Sequence, residues 1–258
     1  MRAYYNEIDP YAAQWIRNLI DAGLVTPGDV DTRSIEDVRP NDLFGYNRCD
    51  FFAGIAVWDH ALNLAGWGEE QVWTGSCPCQ PFSEIGQGSG FADERHLWPA
   101  FHHLVRECKP RRIFGEQVAS AAGLAWLDLV HADMEAENYS FASVDLCAAG
   151  VSAPHIRQRL YWVGHANDTR LEGHTRDGNE SRGAVALGSV TPSGGPVGGF
   201  WADAEWLRFS DGRRPVQPGI KPMVARTPSH MGRCRAYGNA VVAPLAVEFI
   251  KAYMDCKT

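Results

Sequence analysis

Hydrophobic and polar positions along the 258-residue chain divide into short apolar runs and longer stretches with helical spacing. The short runs predict buried strands, and they cover residues 2–8, 35–38, 49–52, 72–75, 112–115, 139–148 and 159–164. Apolar residues three and four apart predict helices, and these cover residues 11–22, 58–65, 97–107, 124–136 and 240–254. The alternation of strand and helix predicts an α/β fold, a mostly parallel sheet with helices on both faces.

Charge is distributed unevenly, which changes what the net charge of −7 implies about partners. Residues 154–235 hold 12 Lys and Arg against 7 Asp and Glu, a local net of +5, while the rest of the chain carries −12. A basic stretch of this kind is typical of a phosphate-facing surface. Local fluctuation of charge explains it equally well, so charge alone leaves a nucleic-acid partner open.

Several classes of protein and site are not expected from this sequence. The seven cysteines are odd in number and irregularly spaced, with no paired Cys-x-x-Cys, so neither a disulfide framework nor a zinc site is predicted. We expect no metal. No apolar run is long enough for a membrane span, and the N-terminus lacks the pattern of a secretory signal. We therefore expect a cytoplasmic protein without a membrane partner.

The strongest chemical candidate is Cys79, which follows the predicted strand at residues 72–75 and has a proline on either side in the run Pro78-Cys79-Gln80-Pro81. A reactive thiolate requires partial exposure and an electropositive setting. A buried core cysteine is the usual fate of a free thiol, and position alone leaves both interpretations open.

Five segments of the chain resemble motifs of the DNA cytosine-C5 methyltransferases, of a compact, phage- or prophage-like kind. They are Phe51-Phe52-Ala53-Gly54-Ile55 (cofactor loop), Pro78-Cys79-Gln80-Pro81-Phe82-Ser83 (nucleophile), Glu116-Gln117-Val118 (Glu-Asn-Val), Pro154-His155-Ile156-Arg157-Gln158-Arg159-Leu160-Tyr161 (Gln-x-Arg-x-Arg) and Tyr237-Gly238-Asn239-Ala240-Val241-Val242 (Gly-Asn-Ser/Ala-Val). The resemblance implies a Rossmann-like, S-adenosylmethionine-dependent methyltransferase fold.

The resemblance also implies catalytic roles. Cys79 would add to C6 of cytosine, which makes C5 able to accept a methyl group. Glu116 would protonate or hydrogen-bond N3 of the base, and Arg157 and Arg159 would hold the base O2 or a flanking phosphate. A base in a duplex must be flipped out for this chemistry, and the glycine-rich residues 86–90 would close over it. The base that removes the C5 proton is not assigned.

Cofactor residues are implied by the same resemblance, in a permuted order. Residues 5–12 resemble the second strand of the family, whose acidic residue bonds the ribose, and residues 33–38 resemble the third strand, yet both precede the cofactor loop. Ala56 stands where that loop usually has a second glycine. The predicted cofactor-binding residues are Glu7, Ile8, Ser34, Ile35, Phe52, Ala53, Gly54, Ile55, Ala56, Pro78, Leu97, Asn239 and Ala240.

A catalytic and cofactor-binding domain is predicted from residues 1–165 together with 232–258, and a short target-recognition region from 166–231. The partner would be DNA, expected to be double-stranded. Because the target-recognition region is short, a second copy of the chain in a homodimer could help to recognise the DNA. The predicted nucleic-acid-binding residues are Gln80, Ser83, Gln87, Arg208, Arg213, Arg214, Arg233 and Arg235.

Two alternatives remain open at this stage. One is a related enzyme that acts on RNA or uses a variant cofactor, for which Gln117 and Ala56 leave room. The other is a non-catalytic DNA-binding partner subunit. The set Cys79, Glu116, Arg157 and Arg159 argues against the second alternative, because a pure binder needs no thiolate.

Overall fold

The computed structural model describes residues 1–78, 97–151, 153, 157–167 and 240–256, and the backbone alone of 205–209 and 212–216. Seven strands form one sheet in the order β2-β1-β3-β4-β5-β7-β6. Strands β1 to β5 run parallel, whereas β7 is antiparallel to both β5 and β6. The strands are β1 (Ala3–Asn6), β2 (Gly28–Asp31), β3 (Arg48–Phe51), β4 (Val72–Gly75), β5 (Arg112–Val118), β6 (Tyr139–Cys147) and β7 (Gln158–Ala166).

Five helices pack against this sheet among the described residues. They are α1 (Pro10–Asp21), α2 (Val57–Ala65), α3 (Trp98–Cys108), α4 (Ala121–Ala136) and α5 (Ala243–Asp255). Local sequence explains several of their ends. The Asp9 carboxylate caps α1 by accepting from the Tyr11 and Ala12 amides, at 2.8 and 3.1 Å. Gly66, at φ 77°, ends α2 in the left-handed conformation that glycine adopts readily.

The helices divide into two layers. Helices α2 and α5 share a buried cluster that includes Trp58, Phe114 and Ile250, and α1 packs on the same face over Ala3 and Tyr5. Helices α3 and α4 cover the opposite face, with Phe101 and Trp126 in a cluster that also includes Phe51. The sheet is thus buried on both sides, which confirms the predicted α/β architecture.

The sheet order agrees with the predicted permutation. In a doubly wound sheet the order begins 3-2-1-4-5, and the first five positions here are β2-β1-β3-β4-β5. The third strand of the chain therefore occupies the position that the first strand normally takes. Lateral pairing through backbone hydrogen bonds depends on which strands lie side by side, so the same sheet forms from a different chain order.

One predicted strand is wrong. Residues 35–38 were expected to form a strand, but Ile35–Asp37 is a 3₁₀ turn, and the edge strand β2 lies earlier, at Gly28–Asp31. Ser34 accepts a hydrogen bond from the Glu36 amide at 3.4 Å and so favours a turn over extended backbone. Strand β2 has only Val30 as an apolar residue, which explains why the pattern did not reveal it.

The predicted recognition region lies mostly outside the described residues. Its described part is a separate antiparallel pair of strands, β8 (Glu205–Phe209) and β9 (Gly212–Val216). Residues 168–204, 210–211 and 217–239 lie outside the described residues. The domain boundary near residue 165 stays a prediction, although β7 ends at Ala166. Among the described residues, no helix is long and apolar enough to cross a membrane.

Candidate active site

Most of the described candidate residues follow the carboxyl ends of parallel strands. Glu7 follows β1, Phe52 follows β3, Pro78 comes three residues after β4, and Glu116 lies in the last half of β5. Because β1, β3, β4 and β5 are parallel, their carboxyl ends lie along one edge of the sheet. That edge is where open α/β sheets bind ligands.

Glu7 lies against the predicted cofactor loop. Its Oε2 accepts from the Gly54 amide at 2.7 Å, and its Oε1 accepts from the Asp9 amide at 2.8 Å. The Ala53 amide donates to Asn6 O at 3.1 Å, which joins the loop to the end of β1 a second time. The carboxylate is half-buried. A residue 47 positions earlier in the chain than Gly54 is therefore part of the same local structure.

The loop at residues 52–56 is a tight turn. Phe52, Gly54 and Ala56 have φ values of 54°, 57° and 57°, all in the left-handed region. Ala56, where a second glycine was expected, keeps this conformation at a cost of about 1–2 kcal/mol. Its side chain is fully buried and its amide donates to Ala53 O at 2.7 Å, so the tight turn forms without the glycine.

The remaining described cofactor candidates differ in accessibility. Ile8 is exposed and Ser34 half-buried, so both can meet a ligand at the ends of β1 and β2. Ile35 is buried in the core, which leaves its backbone amide for the predicted adenine contact. Leu97 is half-buried against the core on the α3 side. Asn239 lies outside the described residues.

Glu116 and Arg159 form the central ion pair of the site. Arg159 Nε lies 2.8 Å from Glu116 Oε1. In the β5–β7 ladder Arg159 faces Val118, so Glu116, two residues from Val118 and on the same face, is its diagonal neighbour. Both side chains are largely buried, with exposed fractions of 10% for Glu116 and 19% for Arg159. The antiparallel register thus joins two motifs that are far apart in sequence.

Burial raises the pKa of Glu116, and the Arg159 and Arg157 guanidinium groups oppose that rise only in part. Oε1 is buried, and no described residue gives it an aligned hydrogen bond despite the short contact with Arg159. A buried carboxyl oxygen without a hydrogen bond is costly unless a ligand or water satisfies it. The group is therefore suited to exchange a proton or a hydrogen bond with a bound molecule.

Arg157 precedes β7 on the same side as Arg159. Its Nη2 donates to Ala240 O at 3.2 Å, which joins the arginine motif to the Gly-Asn motif just before α5. Burial and the neighbouring Arg159 lower its pKa. Its Nε is buried and donates a hydrogen bond to no described residue. Glu116, Arg157, Arg159 and Ala240 are thus brought together.

The segment between β4 and Cys79 is described up to Pro78. Cys77 is buried in the core on the α3 side, and burial raises the pKa of its thiol. Pro78 is exposed. Cys79 itself lies outside the described residues, as do Gln80, Ser83 and Gln87, so their roles stay predictions.

The basic candidates of the recognition region have little structural description. Arg208 lies on β8 and Arg213 and Arg214 on β9, where Arg208 pairs with Arg213 and Leu207 with Arg214. Only their backbone is described. Arg233 and Arg235 lie outside the described residues. Their contact with nucleic acid stays a prediction.

Three polar contacts at the site were not predicted from the sequence. Gln117 Nε2 donates to Cys77 O at 3.3 Å, and Trp58 Nε1 donates to Ser76 Oγ at 2.9 Å. Thr74 donates to the fully buried Asp50 carboxyl at 2.6 Å, and burial raises the pKa of that carboxyl well above its ordinary value. The only sequence signal was the departure at Gln117 from the Glu-Asn-Val motif.

Comparison with known families shows where the chain is similar. Residues 68–185 match the family model described as C-5 cytosine-specific DNA methylase. The chain is 35% identical over 118 residues to the type II methyltransferase M.HhaI of Haemophilus parahaemolyticus, covering 44% of this chain and 33% of that protein. It is 26% identical over 168 residues to the type II methyltransferase M.NlaX of Neisseria lactamica, covering 64% and 44%. The matches thus span less than half the length of these relatives.

Solved structures give a weaker likeness. A mutant of Spodoptera frugiperda DNMT2 matches with a TM-score of 0.40 and 14% identity, covering 69% of this chain and 53% of that one. A putative DNA modification methyltransferase encoded within an Escherichia coli prophage matches with a TM-score of 0.40 and 15% identity, covering 64% and 47%. The order of the strands, β2-β1-β3-β4-β5-β7-β6, defines the fold independently of these likenesses.

Proposed function

We propose that this chain, whose residues 68–185 match the family model described as C-5 cytosine-specific DNA methylase, transfers a methyl group from S-adenosylmethionine to C5 of cytosine in DNA. The observation that carries the proposal is the buried Glu116 carboxyl, paired with Arg159 and next to Arg157. These groups lie at the sheet edge from which the chain continues from Pro78 to Cys79.

Glu116 has the properties that the base requires. Its raised pKa increases the fraction that is protonated near neutral pH, and a protonated carboxyl can donate to N3 of cytosine. Arg159 beside it can hold the O2 of the same base edge, since its guanidinium presents several donors in a plane. Withdrawal of electron density from the ring in this way makes C6 more susceptible to attack.

Cys79 is the proposed nucleophile. In the chain it lies two residues beyond Cys77, which follows the end of β4 beside β5. Its thiolate would form a bond to C6, which gives C5 the electron density to bond the methyl group. The S–CH3 bond would break in the same transfer, and its electron pair would remain on the cofactor sulfur as a neutral thioether. Loss of the C5 proton to a base, followed by departure of the thiolate, restores the aromatic ring. On double-stranded DNA the cytosine is flipped out of the stack.

The residues at the ends of β1 and β3 fit S-adenosylmethionine. The Glu7 carboxylate can accept from both ribose hydroxyls, and the tight turn at residues 52–56 brings backbone close to a ligand. Ser34, Ile8 and the Ile35 amide border the proposed adenine end. The cofactor supplies an electrophilic methyl group on a sulfonium. The chain's part is to hold that group over C5 and exclude water.

The described contacts bear on the features that left room for the two alternatives. Gln117 lies on the face of β5 opposite to Glu116 and is bonded to Cys77, so its departure from the family motif does not alter the proposed base site. Ala56 keeps the tight turn. A non-catalytic partner subunit would not require a buried carboxyl with a raised pKa between two arginines.

One assay tests the proposal. The protein is incubated with labelled S-adenosylmethionine and mixed-sequence DNA or RNA, and the digested nucleosides are identified by chromatography and mass spectrometry. We expect 5-methylcytosine from DNA with the unchanged protein and none with Cys79→Ala. A covalent adduct with 5-fluorocytosine DNA should form only when Cys79 is present. Label in RNA alone, or in no nucleic acid, would contradict the proposal.

A further inference from the structure

Gln117 is a buried polar residue at the site to which the proposed reaction assigns no role. It is 2% exposed and lies between Glu116 and Val118 on β5. A buried carboxamide needs hydrogen bonds for its oxygen and its amino group, since leaving either without one costs free energy. Where those hydrogen bonds go identifies what the side chain does.

Both ends of the carboxamide are bonded to backbone. Oε1 accepts from the Val118 amide at 2.8 Å, and Nε2 donates to Cys77 O at 3.3 Å. The first bond fixes the orientation of the carboxamide, because a backbone amide can only donate. The amino group must then point towards Cys77. Gln117 therefore connects the strand that carries Glu116 to the segment that leaves β4.

That segment is held from a second direction. Trp58, in the first turn of α2, donates from Nε1 to Ser76 Oγ at 2.9 Å. Cys77 is itself packed in the core at 4% exposure. The two residues that follow β4 are thus attached to α2 on one side and to β5 on the other. Pro78, which comes next, is exposed.

We propose that Gln117 is a positioning residue for the nucleophile. Its hydrogen bond fixes the Cys77 carbonyl relative to Glu116, and Cys77 lies two residues before Cys79 in the chain. The inference rests on the proposed function. The Cys79 thiolate must reach C6 while Glu116 contacts N3 of the same ring. Because Cys79 follows β4 in the chain and Glu116 lies on β5, a change in the distance between these strands would disturb both contacts. A displacement of about 1 Å at a reacting centre can cost on the order of 100-fold in rate.

The test uses the full chain and the variant Gln117→Met, which keeps similar length and bulk but forms neither hydrogen bond. Gln14→Met is the matched control, because Gln14 is exposed on α1 and bonds only to Asn18 among the described residues. We expect kcat for 5-methylcytosine formation to fall at least tenfold in Gln117→Met, with the Kd for S-adenosylmethionine changed less than twofold. The backbone amides of Ser76 and Cys77 should exchange hydrogen at least threefold faster, and Gln14→Met should match the unchanged protein.

A second variant covers failure of the first to fold. Gln117→Asn retains a buried carboxamide but is one methylene shorter, so it should lose the reach to Cys77 and show a smaller fall in kcat of the same kind. Unchanged kcat, or unchanged amide exchange at Ser76 and Cys77, in a folded Gln117 variant overturns the inference. Absence of 5-methylcytosine with the unchanged protein overturns the proposed function instead, and the exchange experiment still shows whether the contact with Cys77 holds that segment.

Discussion

The N-terminal and C-terminal halves of the site differ in the groups that form them, backbone in the first and buried side chains in the second. The N-terminal half, comprising Glu7, Ser34 and residues 52–56, consists mainly of backbone turned sharply around one carboxylate. The C-terminal half, comprising Glu116, Gln117, Arg157 and Arg159, consists of buried polar side chains on two antiparallel strands. Binding a ligand closely needs backbone geometry, whereas changing the protonation of a base needs buried charge.

The two halves also differ in how they depend on chain order. The N-terminal half comes from strands that the permutation has rearranged, and it is joined by backbone hydrogen bonds and one buried ion pair, Arg48 with Asp59 at 2.8 Å. In the C-terminal half, the described elements β4, α3 and β5 follow one another in the usual chain order. The permutation therefore affects the N-terminal half. There the site is defined by contacts between backbone groups and not by the order of the strands in the chain.

The largest effect is expected from Glu116→Gln. This variant keeps the shape and a hydrogen-bond donor but cannot transfer a proton, so kcat should fall on the order of 10²- to 10⁴-fold. Affinity for S-adenosylmethionine should stay within about twofold, because Glu7 and the loop are unchanged. Single-turnover methylation and calorimetry measure the two quantities. Glu135→Gln, an exposed change on α4, should leave both at their original values, and an active Glu116→Gln would refute the assigned role.

A large effect on folding is expected from Arg48→Met. The Arg48 guanidinium also bonds Thr26 Oγ1 at 3.0 Å and Asn63 Oδ1 at 2.7 Å, so its loss leaves the buried Asp59 carboxylate poorly compensated. Breaking a buried pair of this kind costs about 3–5 kcal/mol. Urea unfolding measures the change, with the exposed Arg106→Met as control. A loss below 1 kcal/mol would show that the ion pair does not hold the permuted strands together.

An intermediate effect is expected from Glu7→Ala. Removal of the carboxylate takes away the Gly54 contact and the proposed ribose contacts, and hydrogen bonds to charged groups contribute about 1.5–3 kcal/mol. Affinity for S-adenosylmethionine should fall roughly 10- to 100-fold. Calorimetry measures it, with the exposed Glu69→Ala as control. Unchanged affinity would count against the permuted cofactor site, although the sheet order would stand.

A smaller effect is expected on the pH dependence of the unfolding free energy, through Glu116 in the C-terminal half. The pKa of Glu116 is raised above its ordinary value of 4.5, so between these two values the folded protein holds a proton that the unfolded chain has released. Stability therefore falls as pH rises above about 4.5 and levels off beyond the raised pKa. Comparison of unfolding free energies for the unchanged protein and Glu116→Gln from pH 4.5 to 8 isolates this contribution. A difference that does not vary with pH would mean that the carboxyl titrates normally.

The smallest effect is expected from Ala56→Gly. Relief of the left-handed alanine gains about 1–2 kcal/mol, and loss of the buried methyl group costs about 0.8 kcal/mol. Greater freedom of glycine in the unfolded chain costs a further 0.5–1 kcal/mol or so. The net change in unfolding free energy should be under about 1 kcal/mol by urea unfolding. Ala56→Val provides the contrast, since a branched residue at φ 57° should destabilise far more.

The helices and most strands of this protein could be predicted from sequence because their apolar residues recur with the period of each element. Residues 72–75 were predicted as a strand and match β4, and α2 differs from its prediction by one residue. The edge strand β2 was missed, because a half-exposed strand with a single apolar residue carries no such period. The motifs likewise indicated Glu116, Arg157 and Arg159, since their residue types are tied to the chemistry.

Only the tertiary structure decided how these pieces meet. The sequence determined that Glu7, Gly54, Glu116, Arg159 and Gln117 were candidates or departures worth explaining. The contact of Glu7 with Gly54, the diagonal pair of Glu116 with Arg159 and the bond from Gln117 to Cys77 depend on which strands lie side by side and in what register. Strand pairing is set by long-range burial and backbone hydrogen bonds, which act between segments distant in the chain, and so no local pattern specifies it.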